Sequence, residues 1–525
     1  MKKLIAAIMT TAVLSLSVNV FAMPVEFSGG VKDEFEYQEI AFLSGKPVQF
    51  MGTCKVTIAE GQVSGTSSSG PDKFDQIPNK SGSSSNVKMQ KKTVAYTFKL
   101  SSADPANPGK IDRQMTYETI YDKNTEKGQT VANTKNTKMK ESVTIGNDKY
   151  DLKSYEFSKS DLIDNRPASD FSSGNITAKK YYTLNGTAGK VIVNITGGEV
   201  GYSNFWGNTG TQVLDYAINV ERKVGEGDTA ALNTWQGTAR IQSSDSVTKT
   251  VKYSENEANY SSFDGGYMKL TNREMVSKID YDLPKFKEDG TAEEIDKSIG
   301  TLQLSKKMDP KIERLLVPKL KDIGGHWGED DINRLYSLGI FDEMLTFFTP
   351  DIPMTRKEYV KAIMRASNIE IPIDIKSKTS STRNKTVEIP PFDDVNTSDK
   401  DYPYIKEAVS KGIIYGVTPN QFMPDVPLTR SEAVVVIIRA LGFDNLAPAP
   451  GYRTSFDDDN EIAEWAKDSI YMSKEIGLVE GDGNNRFNPN QVMTRAEASA
   501  MISRFLKFLE KDMQKDYREN ILLFK

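Results

Sequence analysis

A chain of 525 residues with 38% apolar and 26% charged side chains has ordinary soluble composition and length enough for two or three domains. Its 67 basic and 72 acidic residues give a formal charge of -5, which argues against nucleic acid as a partner. The single cysteine, Cys54, excludes an intramolecular disulfide, and the single histidine, His326, leaves the first 300 residues without Ser-His-Asp catalysis, Cys-His catalysis or His-ligated zinc.

Residues 1–22 read as a signal peptide: Lys2-Lys3, an apolar stretch from Leu4 to Val20, and Val20-Phe21-Ala22 as a small-residue cleavage site. The mature chain is expected to begin at Met23. Losing two lysines leaves 65 basic against 72 acidic residues, a formal charge of -7. No later stretch is apolar for the 18 or more residues that a membrane helix needs, and no sorting tail is evident, so no membrane span is expected.

Residues 23–284 are rich in Ser, Thr, Gly and Asn, and their apolar residues alternate. Thr93-Val94-Ala95-Tyr96-Thr97-Phe98-Lys99-Leu100 and Lys190-Val191-Ile192-Val193-Asn194-Ile195 have period two, as do Tyr216 to Val220 and Val247 to Tyr253, the mark of half-buried strands. Short strands between Gly-rich turns predict a β-rich, β-sandwich-like region of unassigned role. Gly61 to Val87 is expected to be a long loop. Residues 285–317 read as a linker, partly helical around Lys311 to Leu316.

The last third repeats itself. Thr355-Arg356-Lys357-Glu358, Thr429-Arg430-Ser431-Glu432 and Thr494-Arg495-Ala496-Glu497 each follow a Phe-x-Pro whose proline (Pro350, Pro424, Pro489) lies five positions earlier. Gly339, Gly412 and Gly477 precede Phe348, Phe422 and Phe487 by nine or ten positions, and Ile332, Ile405 and Ile470 stand seven before each glycine. Three units of this length predict one compact domain of three helical hairpins at 318–369, 390–445 and 454–510, with 511–525 as a tail that prolongs the last helix. Lys376 to Lys385 reads as a surface loop.

The run Asp458 to Trp465, Gly477-Leu478-Val479-Glu480-Gly481, Phe487-Asn488-Pro489 and Thr494-Arg495-Ala496-Glu497 resembles an S-layer homology repeat, and the other two units resemble it less completely. The resemblance covers a little over a third of the chain. It implies an all-α, pseudo-threefold domain that holds an exported bacterial protein non-covalently on a secondary cell-wall polysaccharide, often pyruvylated and therefore anionic.

Thr-x-x-Glu before an apolar run is a capping box, which explains two of the four motif positions. The arginine is left over. A planar, always protonated fork beside a helix start with free amides suits a carboxylate, so Arg356, Arg430 and Arg495 are the candidate ligands, against surface salt bridges as the alternative. Trp327 and Trp465 are candidates for stacking on sugar rings or for packing. Asp322, Asp394 and Asp458 are candidates for accepting sugar hydroxyls, with helix capping the favoured role. Gly416 and Gly481 are expected to end the first helices. Glu343 in unit one, where the others have glycine, and Lys400 in unit two, at the tryptophan position with Tyr402 and Tyr404 nearby, predict unequal grooves. Asp457-Asp458-Asp459-Asn460 lacks the alternation and turn glycine of a calcium loop. No catalytic residue, metal ligand or cofactor is expected. The reading is an exported structural surface protein with possible self-association in a surface layer. A wall-attached two-carboxylate hydrolase, a carbohydrate-binding protein and an adhesin on the same anchor stay open.

Overall fold

The computed structural model describes residues 37–520 except 66–86, 125–127, 225–230, 255–265, 288–289, 342–345, 370 and 372–389. The expected signal peptide, Glu343, Lys376 to Lys385 and most of the Gly61 to Val87 stretch lie outside the described residues.

The described residues as far as Arg314 build one antiparallel sheet: β1 (Tyr37–Ala41), β2 (Val48–Gly65), β3 (Val87–Ser102), β4 (Gly109–Asn124), β5 (Gln129–Ile145), β6 (Asp148–Arg166), β7 (Ser169–Leu184), β8 (Gly189–Asn204), β9 (Gly207–Val224), β10 (Ala231–Ser254), β11 (Gly266–Phe286), β12 (Ala292–Lys307) and β13 (Lys311–Arg314). Strand order follows chain order from β1 to β12, and β13 pairs with β11 beside β12. This corrects the sandwich. From β1 to β12 each strand hydrogen-bonds to its sequence neighbours, so no crossover starts a second sheet. It also corrects the linker, because β12 and β13 belong to the sheet, and Lys311–Arg314 is strand where helix was expected. Gly61 to Gly65 continue β2 rather than opening a loop.

The meander curls into a half-barrel whose edges approach each other. The Gln38 amide of β1 donates to the Ser305 carbonyl of β12 at 3.5 Å. The turn after β1 lies against β11, where Gly45 (φ 79°) is so close that a Cβ would stand 2.4 Å from the Phe286 ring. The left-handed pair Asn185-Gly186 (φ 44° and 75°) turns β7 into β8.

Alternation fills the interior with Ile111, Met115 and Tyr117 of β4 while Asp112 and Gln114 face solvent. The same period forces Arg113 inside. Its guanidinium grips Glu39 (2.7 and 2.8 Å) and Glu141 (2.8 and 3.2 Å), and Glu141 also accepts from Tyr182 at 3.0 Å and lies 3.4 Å from Lys180. Burial opposes the charge on Glu141, but Arg113 and Lys180 outweigh it and bring its pKa from 4.5 down to about 2. A depressed carboxyl contributes stability that is complete above its unfolded value and is lost as pH falls through its folded one. Urea unfolding should therefore show this contribution intact above pH 4.5 and declining toward pH 2. Glu141→Gln should cost about 3–5 kcal/mol at neutral pH, by leaving Arg113 underpaired, and should flatten that acid limb. An unchanged acid limb would show that the pair does not act this way.

The helical segments are α1 (Glu329–Ser337), α2 (Arg356–Ala366), α3 (Tyr402–Ser410), α4 (Arg430–Leu441), α5 (Glu464–Glu475) and α6 (Arg495–Asn520), two for each sequence unit. Gly339, Gly412 and Gly477 (φ 74°, 67° and 69°) end α1, α3 and α5 in the left-handed conformation. Gly416 and Gly481 do not end these helices. They sit where other backbone comes close, and a Cβ on Gly416 would meet the Thr418 carbonyl at 2.0 Å.

The sheet has an apolar core of its own, and Ala168, Tyr202 and Trp206 join the core of the helices. The β8–β9 turn inserts Trp206, 1% exposed, among helical residues, with its indole N–H donating to the Leu506 carbonyl at 2.7 Å. Asn204 donates to the Leu509 carbonyl (2.8 Å), Tyr202 to Asp512, and the Ala168 amide to the Ala440 carbonyl (2.8 Å).

Candidate functional site

Capping boxes start the second helix of each unit. Thr355 and Thr429 accept from the amides of Glu358 and Glu432, whose carboxylates reach back to the cap amides. Thr494 and Glu497 exchange the same two bonds, at 3.2 and 2.8 Å. The cap therefore consumes the third helix amide. The first two are also taken, by the loop of the next unit. Arg356 donates its amide to Val426 and Lys357 to Pro424; Arg430 to Gln491 and Ser431 to Pro489; Arg495 to Ile352 and Ala496 to Pro350, all at 2.9–3.1 Å. Unit one leans on two, two on three, and three on one. The free amides expected beside each arginine are thus occupied by carbonyls, and only the guanidinium side chains remain to meet a ligand.

Those side chains reach toward the Phe-x-Pro loop of the next unit and differ there. Arg356 is paired with Glu432 and donates to the Phe422 carbonyl at 3.0 Å. Arg495 pairs with Glu358 at 2.5 Å and lies 4.6 Å over the Phe348 ring. Arg430 stacks 5.2 Å over Phe487 and donates to the Glu480 carbonyl at 3.1 Å, but has no carboxylate in ion-pair contact among the described residues; its buried Nε, like that of Arg495, has no acceptor. Burial first, and then the charge of Arg504, pull its pKa below the ordinary arginine value.

Gln491 accounts for the difference. The equivalent of Glu432 and Glu358 in unit three is Glu497, whose Oε1 accepts instead from the Gln491 amide at 3.1 Å. The corresponding positions are Ile352 and Val426, which cannot compete for a carboxylate. The signal was in the sequence but silent without the register between units.

The aspartates neither cap helices nor stand free for hydroxyls. Asp322 accepts from Phe348 and Thr349 (2.8 and 2.6 Å), Asp394 from Phe422 and Met423 (2.9 and 2.7 Å), and Asp458 from Phe487 and Asn488 (2.8 and 2.7 Å). Thr349, Met423 and Asn488 have φ of 55°, 58° and 59°, a strained conformation for non-glycine residues, so each carboxylate holds the bend on which an arginine rests. Burial opposes the charge of Asp322, yet these amides keep its pKa below the ordinary value.

Trp327 and Trp465 are 63% and 56% exposed. Trp327 precedes Gly328, on which a Cβ would stand 3.2 Å from Ala496, so the backbone next to Trp327 passes close to the start of α6, the helix that Arg495 begins. Trp465 is on α5, which packs on α4, the helix that Arg430 begins. In unit two Tyr402 is 4% exposed and Tyr404 accepts from Arg365 at 3.0 and 3.1 Å, so neither is a free aromatic plate. Asp457 and Asp459 accept from Asn485 and Thr454 respectively and share no common centre.

The S-layer homology domain model matches residues 319–360, 391–434 and 455–499. The chain is 32% identical to an amylopullulanase of Thermoanaerobacterium thermosulfurigenes over 193 residues, 35% of this chain and 9% of the relative. It is 29% identical to the surface-layer 125 kDa protein of Lysinibacillus sphaericus over 119 residues, 22% and 10%. It is 28% identical to an S-layer protein of Bacillus thuringiensis subsp. finitimus over 183 residues, 34% and 20%. The chain spans a fifth or less of the length of these relatives. Its three C-terminal units are S-layer homology repeats, which anchor surface proteins to the cell wall, and the chain is a cell-wall-anchored surface protein.

Proposed function

With three S-layer homology repeats as the premise, we propose that this chain is a structural surface protein held non-covalently on an anionic, pyruvylated secondary wall polysaccharide, and that the groove between repeats two and three is its working site. The observation that carries this is Arg430: of three equivalent arginines, it alone is in ion-pair contact with no carboxylate among the described residues. A ketal carboxylate would supply the missing charge and accept from the orphaned Nε, while the exposed Trp465 on the adjoining helix offers a flat face to a sugar ring. The grooves of Arg356 and Arg495 are closed by Glu432 and Glu358 and contribute little. The one-to-two, two-to-three, three-to-one backbone bonds support a pseudo-threefold helical domain.

The sheet is proposed to have no enzymatic activity and to serve as the body of the protein, including self-association in a surface layer. Two-carboxylate hydrolysis needs a cleft that admits a glycan. Glu39 and Glu141 are buried around Arg113, and Asp161 and Glu199 around Lys159. The cavity beside Glu39 and Glu141 is about 70 Å³, room for about two waters.

The mature chain should pellet with purified wall carrying the polysaccharide and stay in solution once that polymer is stripped; equal pelleting with bare peptidoglycan would defeat the proposal. Gln491→Val, which copies Val426, should release Glu497 to neutralise Arg430 and weaken polysaccharide binding about tenfold without lowering the melting temperature. Unaltered binding by a variant that shows the new ion pair by crystallography would mean that the charge of Arg430 is irrelevant.

A further inference from the structure

A second cationic feature lies outside the repeat motif, on the exposed face of α6. Arg504, Lys507, Lys511 and Lys515 are all solvent-exposed, and with Gly477 and Asp512 they line a groove of about 330 Å³ between the end of α5 and α6. Spaced by three, four and four residues, they form one stripe roughly 16 Å long at 1.5 Å rise per residue. None of the four forms an ion pair among the described residues. The one carboxylate in the groove, Asp512, accepts a hydrogen bond from Tyr202 of the sheet.

Folding gives no reason for this stripe. Lys507 and Lys511, and Lys511 and Lys515, are like-charge pairs at i,i+4, which destabilise a helix by a few tenths of a kcal/mol each. Arg504 and Lys507 stand near the middle of a 26-residue helix, too far from its end to be favoured by the helix dipole, which fades within the last turn. Four unpaired cations in a row on a chain of net negative charge cost self-repulsion unless an anion meets them.

The stripe also leads somewhere. Arg504 is near enough to Arg430 for its charge to act there, and Leu478 at the groove wall is two residues from Glu480, whose carbonyl holds Arg430. We propose that the α6 groove is an extended polyanion site continuous with the Arg430 groove, so that a linear anionic polysaccharide with several carboxylate or phosphate groups runs from Arg430 along α6 toward the sheet. The proposal rests on the reading of Arg430 as an anion site, and it adds that affinity depends on polymer length. The apolar side chains of the groove wall, Ile476, Leu478 and Phe508, are buried or half-buried, so the surface offers charge without the protruding apolar side chains that enter a membrane interface.

The test uses the full mature chain and a variant in which Lys507, Lys511 and Lys515 are all replaced by Gln, with Arg504 kept because its charge acts at Arg430; these substitutions on an exposed face should leave circular dichroism unchanged and melting unchanged or slightly raised. The probes are the wall polysaccharide as a single repeating unit, galacturonate chains of about ten residues, poly(glycerol phosphate) of similar length, and anionic phosphatidylglycerol vesicles. The expected result is a loss of about tenfold or more for at least one long polymer, diminishing as salt screens the stripe, with affinity for the single repeating unit unchanged. Which polymer suffers the greater loss distinguishes carboxylate from phosphate. Unchanged affinity for both polymers overturns the proposal, and a loss confined to vesicles overturns it in favour of a membrane surface. Arg430→Ala, measured on the single unit, reports separately on the proposed function.

Discussion

Trp206→Ala should lower the unfolding free energy by about 3–5 kcal/mol, the cost of removing a large aromatic side chain from a packed core. The indole is 1% exposed, donates to the Leu506 carbonyl of α6 and carries the Arg334 guanidinium 5.7 Å over its ring, so its loss empties a site that sheet and helices fill together. Because the β8–β9 turn belongs to the sheet and the residues around it belong to the repeats, the variant should also weaken cooperation between the two halves. Calorimetry should show one transition in the native protein and two resolved transitions in Trp206→Ala. A single transition shifted by less than about 1 kcal/mol would mean that the halves are joined elsewhere.

The second large effect is on binding. Arg430→Ala should weaken polysaccharide binding by about 1.5–3 kcal/mol, the scale of a charge-assisted hydrogen bond, which is roughly 10- to 150-fold. Arg430→Lys should rescue only part of it, because an ammonium lacks the planar fork and stacks less well on Phe487. Arg356→Ala and Arg495→Ala should leave binding nearly unchanged and instead cost stability, since each strands a carboxylate, Glu432 or Glu358, at a junction between repeats.

The repeats were largely legible because their information is local: a capping box, a glycine after each first helix and a Phe-x-Pro at fixed spacing are patterns within one unit. What could not be read was the register between units. Nothing in Thr429-Arg430-Ser431-Glu432 alone says that its first two helix amides will meet the Gln491 and Pro489 carbonyls, or that Gln491 will draw Glu497 away from Arg430. The aspartates were misassigned for the same reason, since Asp458 is 29 residues from the Phe487 amide it holds. In the sheet, the alternation in Val94 to Leu100 and Val191 to Ile195 marked strands correctly. Period two does not say whether hairpins stay in one sheet or divide between two, and inward residues such as Arg113 interrupt the apolar signal, so strands of 16 to 24 residues read as shorter pieces.

The central claim is that an anionic wall sugar is gripped by Arg430 and by neither of its counterparts. Isothermal titration of the mature chain with a soluble polysaccharide fragment, its ketal intact or hydrolysed, tests this most directly when the native protein is compared with Arg356→Ala, Arg430→Ala and Arg495→Ala. The account predicts that ketal hydrolysis and Arg430→Ala each weaken binding at least tenfold, that combining them weakens it little further, and that the other two variants bind like the native protein. Equal losses in all three variants, or an Arg430→Ala protein that still distinguishes the intact ketal from the hydrolysed one, would contradict it.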